Sequence, residues 1–174
     1  SIRKAFANSV IIIPFRDAVQ QSASLLEQHM RFSDKHRKDR FAYDYMRWLG
    51  HHEFGLTHQR LCFDSNRCDS VAAYRPDSIN YWLSVWNSTY RYLMDTAPVN
   101  SMYICYEDLC SYPARTLGNL FELASLPVDG SSESISISPA RKKLVNGVDD
   151  RLRSQGESIY DELRYRQSQG ESMI

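Results

Sequence analysis

The sequence predicts an α/β fold: a short parallel sheet in a chain that is otherwise predominantly helical. Three observations carry this. Residues 10–13 (VIII) are a fully apolar run of strand formers, and residues 101–106 (SMYICY) are a second such run. Between and after these runs the apolar residues recur in steps of three and four, the period of a helix. Strands alternating with helices give a parallel sheet, because parallel neighbours need a crossover between them.

Taken in order, residues 1–9 have little pattern and read as the close of an element that began earlier. VIII is apolar on both faces and reads as a central parallel strand. A helix follows from Ala18, with Asp17 as N-cap and Val19, Ala23, Leu26 and Met30 as its buried face. Residues 31–39 (RFSDKHRKD) read as a solvated loop. A second helix near 39–49 carries Phe41, Tyr45 and Trp48 and stops at Gly50. Residues 50–77 are irregular, with a short strand at 61–63. The clearest helix spans about 78–95, where Ile79, Trp82, Trp86, Tyr90 and Leu93 step by three and four after a Ser78 cap. After the second strand, Pro113 opens a helix with Leu117, Leu120, Phe121 and Ala124 inward. Residues 127–139 are Ser-rich and aperiodic, a flexible loop. A last helix covers roughly 150–166 with Leu152, Ile159 and Leu163 inward, leaving 167–174 as a flexible tail on a single domain of residues 1–166.

Composition narrows the function classes. The chain has 174 residues, enough for one real core, and its 21 basic and 21 acidic residues cancel. It therefore lacks the overall positive field of a nucleic-acid binder, and any anion must be held by local groups. No apolar run is long enough to span a bilayer and no signal peptide is visible, so the reading is cytoplasmic with no membrane span. Cys62, Cys68, Cys105 and Cys110 include no CxxC pair and no zinc spacing, and read as reduced thiols, with a Cys62–Cys68 disulfide as the rival. No metal site is expected.

The end of the VIII strand carries chemistry. In an open α/β sheet, ligands bind beyond the carboxyl ends of the strands. Arg16 stands just past that end, and the following helix aims its positive N-terminus at the same place. Arginine offers a planar fork of donors suited to phosphate or sulfate. Ser24 lies about two turns into the helix, roughly 10 Å along its axis, within reach of an anion shared with an extended arginine. The plainer alternative is an Arg16–carboxylate ion pair and a solvent-facing serine.

The pattern of strand, Arg16, Asp17 and then Ser24 at plus eight resembles the 3′-phosphate-binding segment of the sulfotransferases that use 3′-phosphoadenosine 5′-phosphosulfate (PAPS). Residues 102–127, MYICYEDLCSYPARTLGNLFELASLP, are similar to that family's strand ending in Tyr-Glu-Asp-Leu and its proline-started helix. The helix of Trp82 and Trp86 and the segment SIYDELR at 158–164 look like the bacterial branch, so the resemblance covers most of residues 10–165. It implies a P-loop sulfotransferase-type three-layer fold. It implies that Arg16 and Ser24 grip the 3′-phosphate of PAPS, and that Tyr106 contacts the adenine. The reaction would be in-line transfer of a sulfuryl group to a hydroxyl or amine on a small-molecule or carbohydrate acceptor. The family's glycine-containing basic loop that closes over the nucleotide is not recognisable here; Arg141, Lys142 and Lys143 are the candidates to substitute for it, with a solvated basic patch as the alternative. The family's Gly-rich phosphate loop with its lysine and the strand bearing its catalytic histidine are not found here. They are expected upstream, and these residues alone are expected to be nearly inactive. A small-molecule kinase and a non-enzymatic binding module that uses the Trp82/Trp86/Tyr90 stripe are the rival readings.

Other motifs weigh less. GHHEFGLTH at 50–58 holds three of five histidines but fails HExxH, because Leu56 stands where the second histidine would fall. These histidines read as loop residues bonded to backbone, with a place in an acceptor pocket as the alternative. Glu107 and Asp108 are adjacent acids at a strand end and read as structural. Asn87-Ser88-Thr89 fits the glycosylation pattern but lies inside a packed helix.

Overall fold

The computed structural model describes residues 10–60, 63, 73–98, 101–127 and 136–171. It is predominantly helical, with two parallel strands, β1 (Ile11–Phe15) and β2 (Ser101–Cys105). The expected patterns of residues 1–9 and of most of the 127–139 loop fall outside the described residues, as do Cys62, Cys68 and most of the 61–63 strand. Contacts divide the chain into two compact units where the sequence suggests one domain over 1–166: a sheet unit of residues 1–16, 94–142 and 160–174, and a helical unit of residues 17–93 and 143–159. Among the described residues no helix is long and apolar enough to cross a membrane.

In the sheet unit the register runs from Ile11 opposite Ser101 to Phe15 opposite Cys105. Met102, Tyr103, Ile104 and Cys105 are all buried. β1 departs from the central strand expected of it. Only Ile13 and Phe15 are buried, while Ile12 is 44% exposed and Pro14 is exposed. Pro14 has no N–H to give a second neighbour, which suits a strand that among the described residues pairs with β2 alone. Helix α4 (Tyr106–Ser111) follows β2, and α5 (Pro113–Leu123) starts on Pro113 as expected. On α5 only Thr116 is buried, so Leu117, Leu120 and Phe121 form a half-covered face and not a core face.

In the helical unit, α1 (Ala18–Lys38) starts at the expected cap, with the Asp17 carboxylate accepting from the Gln20 N–H at 2.8 Å. It does not end where the sequence suggests. The 31–39 stretch is helix to Lys38, and its basic last turn (Lys35, His36, Arg37, Lys38) complements the negative end of the helix dipole. Its buried face is also rotated from the expected one: Met30 is exposed, while Ser22, His29, Ser33 and His36 are buried. A polar face is buried cheaply where its groups find partners. Ser22 donates to the Ala18 carbonyl at 2.6 Å, and the Nδ1 atoms of His29 and His36 accept from the N–H groups of Gly55 and Leu56. Gly55 heads a short 3-10 helix (Gly55–Thr57) at φ +80°, and a Cβ there would sit 2.6 Å from the His36 ring, so only glycine fits.

Helix α2 (Arg40–Trp48) is capped by Asp39, which accepts from the Ala42 N–H. Its aromatic stripe faces solvent, with Phe41 76% and Trp48 80% exposed. Helix α3 (Ile79–Thr96) carries the true aromatic core, since Trp82, Trp86 and Tyr90 are buried as their spacing predicts. Asn87 is buried and donates to the Leu152 carbonyl at 3.0 Å, which closes the glycosylation pattern to modification. The last helix, α6 (Asp150–Glu171), begins in the helical unit and ends in the sheet unit. Gly156 allows its close packing, since a Cβ there would lie 3.0 Å from the Ala18 Cβ and 3.1 Å from the Asn87 Oδ1. The flexible tail predicted from residue 167 is corrected. Gln167 is buried and doubly hydrogen-bonded, and helix continues to Glu171.

Candidate functional site

The strand ends of the sheet unit hold two of the four residues singled out in the sequence, Arg16 and Tyr106. Phe15 and Cys105 are register partners, so the residues that follow them, Arg16 and Tyr106, leave the sheet side by side. The Arg16 guanidinium carbon lies 4.9 Å from the centroid of the Tyr106 ring. That is a cation–π contact, and no described residue adds a hydrogen bond or ion pair to the guanidinium. The expected alternative of an Arg16–carboxylate pair is therefore not met among the described residues. The Tyr106 hydroxyl accepts from the Ala140 N–H at 2.7 Å, which ties the 136–142 loop to the strand end and holds exposed Arg141 one residue away. Ser24 belongs to the helical unit. It is half-buried and not solvent-facing, and its hydroxyl donates to the Gln20 carbonyl at 3.0 Å.

Around this pair the acids act as struts. The Glu107 carboxylate accepts from the Cys105 thiol at 3.1 Å and from the Tyr160 hydroxyl at 3.2 Å. Asp108 accepts from Arg164 and, at 2.9 Å, from Gln167, whose amide oxygen accepts from the Cys105 N–H at 2.8 Å. The first turns past β2 are thereby fastened to α6. Burial pushes the Cys105 thiol up from its usual range, against the hydrogen bonds of Tyr160 and the Asp108 backbone, and the Glu107 charge adds to the rise. Burial likewise pushes the Tyr160 phenol well up, with Cys105 and Glu107 behind it. The sequence reading missed Tyr160, Arg164 and Gln167. Their signal was a polar stripe spaced four and three along the final helix.

The basic cluster divides. Lys143 belongs to the helical unit, where its ammonium pairs with Glu27 and its backbone N–H and C=O engage the Gln20 side chain at 2.8 and 3.0 Å. Arg141 and Lys142 are exposed, with no described partner.

The histidines of 50–58 bond mainly to backbone, as their loop reading expects. His52 meets the Thr57 carbonyl at 3.1 Å, and His58 meets the Glu53 carbonyl at 2.7 Å. His58 also has its second nitrogen 2.6 Å from the Tyr81 hydroxyl and its ring 5.3 Å from that of His29, a helix histidine the sequence reading passed over. Among the described residues no group of three or more His, Cys, Asp or Glu side chains is placed to hold a metal ion. No family model, no curated protein and no solved structure matches this chain.

Proposed function

We propose that this chain is the nucleotide-holding part of a PAPS-dependent sulfotransferase of the cytoplasm, acting on a small-molecule or carbohydrate acceptor. In this reading Arg16 binds the 3′-phosphate, the exposed part of the Tyr106 ring meets the adenine, and Arg141 comes from the tethered loop to the outer side of the nucleotide. On the resemblance alone, Ser24 is also read as a phosphate-binding residue. To serve as a donor, its hydroxyl must turn away from the Gln20 carbonyl it now bonds. PAPS supplies the sulfuryl group; these residues bind and orient its nucleotide end. The three-layer P-loop fold is part of the same proposal.

One observation carries the reading. A guanidinium stands at the carboxyl ends of two parallel strands, half-buried over an aromatic ring, with no described carboxylate to neutralise it. Such a group strongly favours an anion, and its neighbour ring favours one that carries a flat base. A thermal-shift titration with adenosine 3′,5′-bisphosphate and ATP tests it. The expected result is a higher melting temperature with the bisphosphate and a smaller response to ATP. Preference for ATP would move the assignment to a kinase, and no response to either would leave a non-enzymatic module.

A further inference from the structure

The helical unit contains a cavity of about 560 Å³ that the nucleotide reading does not use. Phe54, Trp82, Trp86 and Tyr90 line it, together with His58 and Tyr81. Its walls are pinned. The Trp86 indole N–H donates to the Gln21 side-chain oxygen at 3.0 Å, and that of Trp82 donates to the Pro76 carbonyl at 2.8 Å. The Trp82 ring also packs on Phe54 and His58, at 5.5 and 5.1 Å between centroids. Pockets of this size, aromatic walls and rigidity are ordinary for small-molecule sites.

The polar groups define what the guest must bring. His58 Nδ1 lies 2.7 Å from the Glu53 carbonyl and 3.2 Å from the His52 carbonyl. Carbonyls only accept, so Nδ1 carries the hydrogen. In the neutral ring Nε2 is then an acceptor, and the Tyr81 hydroxyl, 2.6 Å away, donates to it. Burial holds His58 below the usual imidazole range, consistent with a neutral ring. The donors of both residues are spent, and what the pair keeps for a guest is the acceptor capacity of the Tyr81 oxygen. The lining charges, Glu53 and Arg60, are on exposed residues, and Glu53 is already engaged by His51.

We propose that this cavity is a binding site for a flat, uncharged bicyclic or tricyclic aromatic molecule bearing one hydrogen-bond donor, its rings among the tryptophans and its donor on the Tyr81 oxygen. The site shares no residue with the strand-end pair and stands or falls separately from it. Isothermal titration of the full chain with indole and with 1-methylindole tests it, because the two differ by the donor. Indole is expected to bind, and methylation to weaken binding by about tenfold, the loss for a donor removed from a buried acceptor. Val85→Trp, which fills the cavity, is expected to abolish indole binding with the circular dichroism spectrum unchanged. Should that variant not fold, Thr89→Phe on the same lining serves instead. Equal affinity for the two indoles would overturn the donor requirement. Binding that survives a filled cavity, or no indole binding up to its solubility limit, would overturn the site.

Discussion

At the strand ends a guanidinium rests on a ring with no described anion to match it, whereas in the aromatic cavity the His58–Tyr81 pair and both indole N–H groups already have their partners. On the two proposals, these regions select guests by different means. Arg16 offers unspent charge and favours an anion. The His58–Tyr81 pair has spent its donors, so shape and a single acceptor remain. A similar contrast separates the aromatic stripes. Those of α2 and α3 have the same three-and-four spacing, yet one is bare and the other is core. Spacing alone reports a helix; only packing reports which face is covered.

The contrast between the stripes can be broken most sharply by a pair of truncations. Trp86→Ala removes a ring that is 2% exposed and is expected to cost about 3–5 kcal/mol, while Trp48→Ala removes one that is 80% exposed and is expected to stay within about 0.5 kcal/mol. Urea unfolding of both variants measures this, and similar losses would erase the distinction between core and surface stripe.

A smaller effect comes from pH. Burial holds both His29 and His58 below the usual imidazole range; at His29 the neighbouring His58 and Arg37 add to this and Asp77 opposes it, while at His58 the Glu53 and His52 carbonyls oppose it. The unfolded chain then binds more protons than the folded one below about pH 6.5. Stability is expected to be whole above that point and to fall as the pH drops toward the lower folded values. Protonation of His29 Nδ1 would also remove the acceptor that Gly55 uses. Urea midpoints followed from about pH 7.5 to about pH 5.5 check this, and replacing His58 with Gln should flatten the slope. A flat profile in the unaltered chain would contradict it.

Much of the fold was legible because it rests on local rules. The Asp17 cap, the proline that opens α5, the buried α3 stripe and both strands follow from propensity and period. The errors share a physical cause. Residues 31–39 looked like a loop because they are polar and charged, yet Ser33 and His36 are buried, and the distant Leu56 N–H meets His36. The tail looked frayed because Gln167 and its neighbours are polar, yet Gln167 is anchored by Cys105 and Asp108. Polar burial depends on partners far along the chain, and single-sequence patterns do not contain them. The adjacency of Arg16 and Tyr106, which the sequence reading did not state, follows from the strands themselves. Each follows the last residue of a strand, and parallel pairing brings strand ends together.

The most direct test is isothermal titration of adenosine 3′,5′-bisphosphate into the unaltered chain and into Arg16→Ala. If Arg16 is the anion's main partner, the substitution should weaken binding by at least tenfold, about 1.5–3 kcal/mol for a charge-assisted bond, while the urea midpoint moves little. Equal affinity in the two proteins, or no binding by the unaltered chain, would contradict the assignment.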